Sequence, residues 1–180
     1  MVRFATAQAR GGFPLGALGC TLLYPNRRIQ HLFAAPGVKI AAAHPCRGVS
    51  WRPDLAWNKG GAQPVPAVTG AALLVSKKAF EKIGGFDEAL PTAAQDIDLC
   101  LKLQQAGWTN VTLPSVVAIH HESLSRRGQK IPKAEIAHFY QRWGQWAYEN
   151  PWYHPGFSRW SEQPAMRLGI KAPYPWRKLL

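Results

Sequence analysis

The sequence predicts an α/β fold, in which buried strands alternate with helices that cover them. An apolar run at residues 16–24, bounded by glycine and by a Pro-Asn turn pair, favours a buried strand. Residues 96–106 predict the clearest helix, because acidic side chains occupy its first turn and a glycine follows its end. A second long helix is predicted over 132–149, where aromatic residues recur at near-helical spacing before an Asn-Pro pair.

The elements between these three are shorter. Residues 65–75 are the strongest candidate for a core strand, and Ser76 then stands where it can cap a helix over 77–83 that ends in two glycines. Residues 34–66 are rich in glycine, proline and alanine, which predicts a long excursion with little regular structure. The other predicted elements are a helix over 1–9, strands over 29–33, 110–113 and 116–120, and an irregular tail from Trp152.

The bulk composition is that of a globular domain. The chain has 180 residues, 47% of them hydrophobic, and a mean hydropathy of −0.20, which predicts one domain with its own core. Its apolar runs fall well short of the roughly 18 residues of a membrane span, and its first residues lack the apolar segment of a signal peptide, so we expect a cytoplasmic protein. Three scattered cysteines without a CxxC pair favour reduced thiols over a disulfide framework or a zinc site.

The charge is strongly positive. The formal net charge is +12, and residues 1–80 contain ten Lys and Arg but a single acid, Asp54. This balance favours anionic partners, which include phosphorylated substrates, nucleic acid and an acidic membrane face. The basic residues are dispersed rather than clustered, so a nucleic-acid partner is not expected, while peripheral contact with the inner face of a membrane stays open.

Two acids stand at the start of the clearest helix. Asp96 and Asp98 are two positions apart, about 200° around a helical axis, so both can face one substrate only if Asp96 lies outside the helix. Asp98 is four positions before Lys102, the spacing of a helical ion pair, which favours a structural role. Asp96 is either a simple helix cap or a carboxylate that takes a proton from a hydroxyl group in a cleft.

Further candidate residues follow strands or sit in turns. His120-His121 ends a predicted strand, so the two rings should point to opposite sides, and one of them can ligate a divalent metal while the other packs. Ser125 and Arg126 follow in a loop that either meets phosphate oxygens or is a solvated basic turn.

Two glycine-containing stretches are structural signals first. Asp87 follows a Gly-Gly-Phe turn. Thr69-Gly70 lets the backbone approach something closely, which can be a ligand or only a neighbouring strand.

Taken together, these motifs resemble the family 2 glycosyltransferases, and within them the bacterial rhamnosyltransferase-like and polysaccharide-building enzymes. The resemblance covers roughly residues 14–158. The stretches that carry it are residues 16–31, TGAALLV at 69–75, Phe80 with GGFDE at 84–88, QDIDLCLKL at 95–103 with AGW at 106–108, HHES at 120–123 with Ser125-Arg126, Trp143-Gly144, and NPWYHP at 150–155.

The resemblance implies a GT-A fold: a mixed sheet flanked by helices, with a nucleotide-binding half and an acceptor-binding half. It implies an inverting transfer of a sugar from a nucleotide-diphosphate donor to a glycan or lipid-linked hydroxyl, with Mg2+ or Mn2+ on the diphosphate. Asp96 matches the general base, and His120 matches a histidine of the metal or diphosphate site. The residues expected to bind substrates are Thr69, Gly70, Asp87, Asp98, Ser125 and Arg126.

The chain departs from the family in one respect. No Asp-x-Asp metal motif precedes Asp96, and Asp96-Ile97-Asp98 occupies the general-base position instead. We therefore expect residues 1–158 to be the C-terminal, acceptor portion of such an enzyme without its donor half, followed by a Pro- and aromatic-rich tail at 159–180. The chain is then either a fragment of a longer enzyme or a truncated gene product, and a separate N-terminal half stays open as a partner. The alternatives are a non-catalytic remnant or acceptor-binding module and, more remotely, a basic nucleic-acid-binding protein.

Overall fold

The computed structural model describes residues 1–54, 56–121, 131–163 and 165. Over this part of the chain helices and strands alternate, which confirms the predicted α/β class. The elements are α1 (Val2–Arg10), β1 (Leu15–Leu23), β2 (Ile29–His31), β3 (Ala35–Pro36), β4 (Ala42–Ala43), α2 (Ala56–Lys59), β5 (Gln63–Pro64), a 3-10 helix (Gly70–Ala72), α3 (Lys77–Lys82), α4 (Gln95–Gln105), β6 (Thr109–Ile119) and α5 (Lys133–Glu149).

A mixed sheet with the order β2-β1-β6-β5 forms the centre of the fold. Strands β1 and β6 are parallel, whereas β2 and β5 run antiparallel to them at the two edges. All of β1 after Leu15 is buried, as expected for a strand that is covered on both faces. A separate pair, β3 and β4, lies within the predicted excursion at 34–66, whose described residues otherwise form only the short elements α2 and β5 and two isolated bridges. The expected mixed sheet flanked by helices is therefore present.

Strand β6 joins two segments that the sequence predicts as separate strands around Pro114. Leu113 pairs with Cys20 and Val117 pairs with Thr21, so three residues of β6 bulge out between consecutive residues of β1. The Thr21 hydroxyl donates a hydrogen bond to the Pro114 carbonyl at 2.9 Å, which closes the bulge. Proline ends the regular ladder locally because it has no N–H to donate, but it does not end the strand.

The predicted core strand at 65–75 is wrong. Residues 65–68 are buried, yet residues 65–75, all of them described, contain only two isolated bridges and the 3-10 helix. Pro66 has no N–H for a ladder, and the Thr69 hydroxyl accepts from the Ala71 N–H at 3.3 Å and caps a turn instead. An apolar run of this length does not distinguish a strand from buried irregular chain.

The main core lies where α4 and α5 meet the sheet. It contains Leu99 and Leu103 of α4 and Phe139 and Trp143 of α5, all at most 5% exposed, packed with Ala17 of β1. The predicted helices 96–106 and 132–149 are thus confirmed to within about one residue at each end. Among the described residues, no helix has the length and hydropathy that crossing a bilayer requires.

A buried asparagine holds these layers in register. Asn110 of β6 is completely buried; its Oδ1 accepts from the Ala17 N–H at 2.9 Å, and its Nδ2 donates to the carbonyls of Pro66 at 3.0 Å and Cys100 at 2.8 Å. One side chain therefore joins β1, α4 and the irregular segment 65–68. Because its carbonyl oxygen and both N–H groups have partners, burial carries no penalty for an unpaired group.

The domain boundary at residue 158 stays a prediction. Just beyond it, Arg159 donates from Nη1 to the carbonyls of Gly37 at 3.1 Å and Ala147 at 3.0 Å, so the described start of the tail lies against the domain.

Candidate active site

A cavity of about 900 Å³ opens at the carboxyl end of the parallel pair β1 and β6. Ligands of open α/β sheets characteristically bind at this end of the strands. The cavity is lined by Leu22, Gln30, His31, His44, Arg47, Thr69, Gly70, Ala71, Phe86, Asp87, Glu88, Leu90, Pro91, Gln95, Asp96 and His120. The walls therefore come from segments that are far apart in sequence.

Five of the predicted site residues line this cavity: Thr69, Gly70, Asp87, Asp96 and His120. Asp98 does not, and Ser125 and Arg126 lie outside the described residues.

Asp96 is the second residue of α4, where the unpaired N–H groups of a helix favour a carboxylate. Its Oδ2 accepts from the Gly70 N–H at 2.8 Å, and its Oδ1 accepts from the Ile97 N–H at 2.9 Å. Each oxygen keeps a further lone pair that can receive a hydroxyl proton. A Cβ atom added at Gly70 would lie 3.5 Å from the Cβ atom of Asp96, which is an ordinary van der Waals distance. The contact between residues 70 and 96 therefore does not itself require glycine.

Helix α5 fixes the loop that delivers Asp96. Glu135 is 6% exposed, and its Oε2 accepts from the N–H groups of Thr92 at 3.0 Å and Ala93 at 3.1 Å. Burial alone would raise the pKa of Glu135, but the hydrogen bonds from Thr92 and Ala93 outweigh it and leave the pKa below its usual value. The next residue, Ala94, has a φ of 63°, a left-handed conformation that an L side chain adopts only when its neighbours hold it.

Asp87 anchors the same loop at an earlier point. Its Oδ2 accepts from His138 Nε2 at 2.9 Å and from Arg142 Nη1 at 3.0 Å, and its Oδ1 accepts from the Ala89 N–H at 3.0 Å. The hydrogen bond from His138, followed by the one from Ala89, lowers the pKa of Asp87. The carboxylate thus holds the cavity wall against α5, and its predicted contact with an acceptor stays a prediction.

Asp98 lies away from the cavity, contrary to the expectation of a substrate contact. Its side chain is 1% exposed and forms the expected ion pair with Lys102, whose Nζ is 2.9 Å from Oδ2. Its Oδ1 accepts from Trp143 Nε1 at 2.9 Å and Arg142 Nη1 at 3.2 Å. Because Asp96 and Asp98 lie on different sides of α4, only Asp96 reaches the cavity, and Asp98 joins α4 to α5.

His120 directly follows β6 and is held by the sheet. Its N–H donates to the Leu23 carbonyl at 2.9 Å, and its Nδ1 lies 2.8 Å from Gln30 Oε1. An amide oxygen can only accept, so Nδ1 donates to Gln30, and Nε2 is the ring nitrogen left over for another contact. His121, the next residue, is exposed.

Sequence reasoning missed the histidine pair His31 and His44, whose Nδ1 atoms lie 2.7 Å apart. His31 Nε2 also accepts from the Thr69 N–H at 3.2 Å. Burial, and then the nearby His44, lowers the pKa of His31 well below its usual value. The two histidines are thirteen positions apart, His31 in β2 and His44 directly after β4, so no local pattern links them.

Two other lining residues that the sequence did not predict, Arg47 and Phe86, can contact a ligand. Arg47 is the only lysine or arginine among the described residues of the cavity wall, and its Nε donates to the Tyr24 hydroxyl at 2.7 Å. Phe86 is 47% exposed and lies edge-on to Phe80, with ring centroids 5.4 Å apart. The wall thus offers one permanent cation and one braced aromatic face.

Comparisons with known proteins identify the family. A family model described as glycosyl transferase family group 2 matches residues 38–180. The chain therefore belongs to the family 2 glycosyltransferases. No solved structure matches it.

Three curated relatives illustrate the similarity. The O-antigen biosynthesis protein RfbC of Myxococcus xanthus is 32% identical over 78% of this chain and 11% of its own length. Protein y4gI of Sinorhizobium fredii is 33% identical over 86% of the chain and 18% of its own length. The N-acetylglucosaminyl-diphospho-decaprenol L-rhamnosyltransferase of Mycobacterium tuberculosis is 32% identical over 61% of the chain and 38% of its own length. The chain thus spans well under half of these relatives.

Family 2 glycosyltransferases generally use divalent cations, and the described residues alone do not form a site for one. Among residues 1–54, 56–121, 131–163 and 165, no group of three or more His, Cys, Asp or Glu side chains is placed to hold a metal ion. His120 offers one ring nitrogen toward the cavity, so further ligands would have to come from a bound diphosphate or from outside the described residues.

Proposed function

We propose that this chain transfers a sugar as a family 2 glycosyltransferase, with Asp96 as the general base for the acceptor hydroxyl. The observation that carries the proposal is the position of the Asp96 carboxylate at the cavity wall, held at the start of α4 by the Gly70 N–H at 2.8 Å. A carboxylate that is fixed in place and reachable by a ligand can accept a proton when a hydroxyl group binds beside it.

The proposed step is a direct displacement. Asp96 takes the proton of the acceptor hydroxyl while the hydroxyl oxygen forms a bond to the anomeric carbon of a nucleotide-sugar. The bond from that carbon to the diphosphate breaks, and its electron pair leaves with the nucleoside diphosphate. One displacement from the opposite face inverts the anomeric configuration, and Asp96 ends the step protonated.

The names of the relatives support the substrate class. The Mycobacterium tuberculosis relative is named for a diphospho-decaprenol acceptor, and the Myxococcus xanthus relative for O-antigen biosynthesis. We infer a nucleotide-sugar donor and a glycan or lipid-linked acceptor in polysaccharide synthesis. The net charge of +12 favours contact with an anionic membrane surface, where a lipid-linked acceptor would lie.

Other residues have proposed supporting roles. His120 would supply one nitrogen ligand to a Mg2+ or Mn2+ ion bound to the donor diphosphate. Thr69, Gly70 and Asp87 would border the acceptor, and Phe86 offers an aromatic face on which a sugar ring can pack.

A transfer assay tests the role of Asp96. The chain is incubated with UDP- and dTDP-activated sugars and an N-acetylglucosaminyl-diphospho-polyprenol acceptor, and the labelled product is counted. We expect Asp96→Asn to lower transfer by about 10²-fold or more, since it removes the base but keeps the shape. Asp54→Asn is the matched control, because Asp54 is 67% exposed and does not line the cavity. If Asp96→Asn transfers as fast as Asp54→Asn, the assignment of the base is wrong.

The second candidate is an acceptor-binding module whose donor site lies on a separate N-terminal half. The lack of a group of three or more metal-ligating side chains among the described residues favours it. Calorimetric titration with UDP and dTDP, with and without Mn2+, separates the two candidates. Metal-dependent binding supports a complete transferase site, whereas a folded chain that binds neither nucleotide supports the module.

A further inference from the structure

We propose that His31 is a positioning residue of the cavity. Its neutral ring, protonated on Nδ1, holds the segment Thr69-Gly70 in the place where Gly70 contacts Asp96. The consequence for sugar transfer rests on the proposed role of Asp96, but the contact itself can be tested without any transfer activity.

The contact with Thr69 determines the protonation of His31. The Thr69 N–H donates to His31 Nε2 at 3.2 Å, and a backbone N–H can only donate. Nε2 must therefore have a free lone pair. The ring proton of His31 is consequently on Nδ1, and the ring is neutral.

His44 stabilises this tautomer from the other side of the ring. The two Nδ1 atoms are 2.7 Å apart, so one proton lies between them. That proton belongs to His31, because its Nε2 is already committed as an acceptor, and His44 Nδ1 therefore accepts. The rings meet edge to face, with centroids 4.9 Å apart, and His31 is 2% exposed, which leaves the ring little freedom to flip.

The same short segment connects His31 with Asp96. Two successive N–H groups are bound by side chains from different elements: Thr69 by His31 of β2, and Gly70 by Asp96 of α4 at 2.8 Å. The Thr69 hydroxyl also accepts from the Ala71 N–H at 3.3 Å, which makes the turn between them compact. A displacement of Thr69 is thus passed to Gly70 over a single peptide unit.

An ordinary buried histidine would be satisfied by any partner and could be exchanged for any polar residue of similar size. The geometry here requires more of the side chain at position 31, namely a hydrogen-bond acceptor at the position of Nε2. A glutamine side chain can place its Oε1 near that position, whereas asparagine is shorter and reaches only the region of Nδ1. Glutamine should therefore preserve the contact with Thr69 and asparagine should lose it.

The first measurement is nitrogen-15 NMR of the histidine rings in the unmodified full chain at pH 7.5. We expect His31 to show the Nδ1–H tautomer. Observation of the Nε2–H tautomer or of a charged ring would overturn the proposal. This measurement needs no variant, so it decides the matter even if a substitution at residue 31 prevents folding.

The second measurement is hydrogen exchange at the amides of Thr69 and Gly70. In His31→Asn we expect both to exchange about tenfold faster, which corresponds to the loss of one hydrogen bond. His31→Gln should stay close to the unmodified chain. His121→Asn is the control, since His121 is exposed and does not line the cavity. Equal exchange in the asparagine and glutamine variants would contradict the positioning role.

A transfer assay extends the test to function. Transfer by His31→Asn is expected to fall about tenfold and to recover in His31→Gln. If the unmodified chain transfers no sugar, the proposed function fails while the tautomer and exchange data still decide the role of His31. If transfer depends on Asp96 but both variants at residue 31 behave alike, the positioning role fails and the proposed function stands.

Discussion

Replacing Asp98 by asparagine should destabilise the protein far more than a surface substitution of the same kind. The carboxylate is 1% exposed and lies 2.9 Å from Lys102 Nζ, 2.9 Å from Trp143 Nε1 and 3.2 Å from Arg142 Nη1. Asparagine keeps one acceptor but turns an NH2 group toward a cation and removes the negative charge. Breaking a buried ion pair on one side costs about 3–5 kcal/mol.

The structure favours the lower end of that range. Arg142 is 48% exposed, so water screens its share of the interaction, and Lys102 keeps a hydrogen bond to the Gly85 carbonyl at 2.6 Å. We therefore expect a loss of about 3 kcal/mol, a large part of the roughly 5–15 kcal/mol by which domains are stable.

Urea unfolding, followed by tryptophan fluorescence and circular dichroism, measures this loss. Asp54→Asn is the matched control: Asp54 is 67% exposed, and its ion pair with Arg52 is 3.7 Å long, so its replacement should cost less than about 1 kcal/mol. The reasoning is refuted if the two variants unfold at the same urea concentration with equal slopes. A folded Asp98→Asn protein should also bind nucleotides as the unmodified chain does, since Asp98 is outside the cavity wall.

Three other outcomes follow from the described contacts. Gly19→Ala should lower the free energy of unfolding by about 1–3 kcal/mol, because a Cβ atom would lie 2.6 Å from Val68 Cγ1; an unchanged melting temperature would contradict this. Ser76→Ala should cost about 1 kcal/mol by removing the cap on the Ala79 N–H at 3.1 Å, while Ser76→Asp keeps an acceptor there and should melt close to the unmodified chain. Lowering the pH from 7.5 to 5 should reduce the free energy of unfolding by up to about 2 kcal/mol through His31, because this residue takes up a proton below about pH 6.5 in the unfolded chain, whereas burial opposes its protonation in the folded one. His31→Gln should make the free energy of unfolding depend less on pH over this range, and an equal pH dependence in the two proteins would refute the assignment.

The elements that the sequence predicted correctly carry their signals locally. The apolar run of β1 and the acidic start of α4 each depend on residues within one turn or strand, and both elements form where expected. The strand predicted over residues 65–75 is wrong because the apolar residues of this segment are buried without pairing to a neighbouring strand in a ladder. The apolar composition of a segment predicts that it is buried, whereas the presence of a neighbouring strand depends on residues elsewhere in the chain.

The same distinction applies to the site. The sequence singles out Asp96 because its helix position and its family motif coincide, and the structure places it in the cavity wall; its role as a base stays a prediction. The side chains that hold its surroundings, Glu135, His138 and Arg142 on α5 and His31 on β2, contact residues about forty or more positions away. In the sequence each of them looks like an ordinary residue of a helix surface or a strand, because a contact between residues so far apart in the chain produces no periodic pattern.

The parallel pairing of β1 with β6 also determines when the cavity can form during synthesis. Ala17 and Asn110 are 93 positions apart, and Arg142, which binds Asp87, lies 55 positions after Asp87 in the sequence. A growing chain therefore cannot close the central ladder until β6 has left the ribosome, and the cavity wall is fixed only after α5 emerges. Such long closures slow folding and leave apolar strands exposed meanwhile. We expect β1 to be the segment that depends most on protection while translation continues.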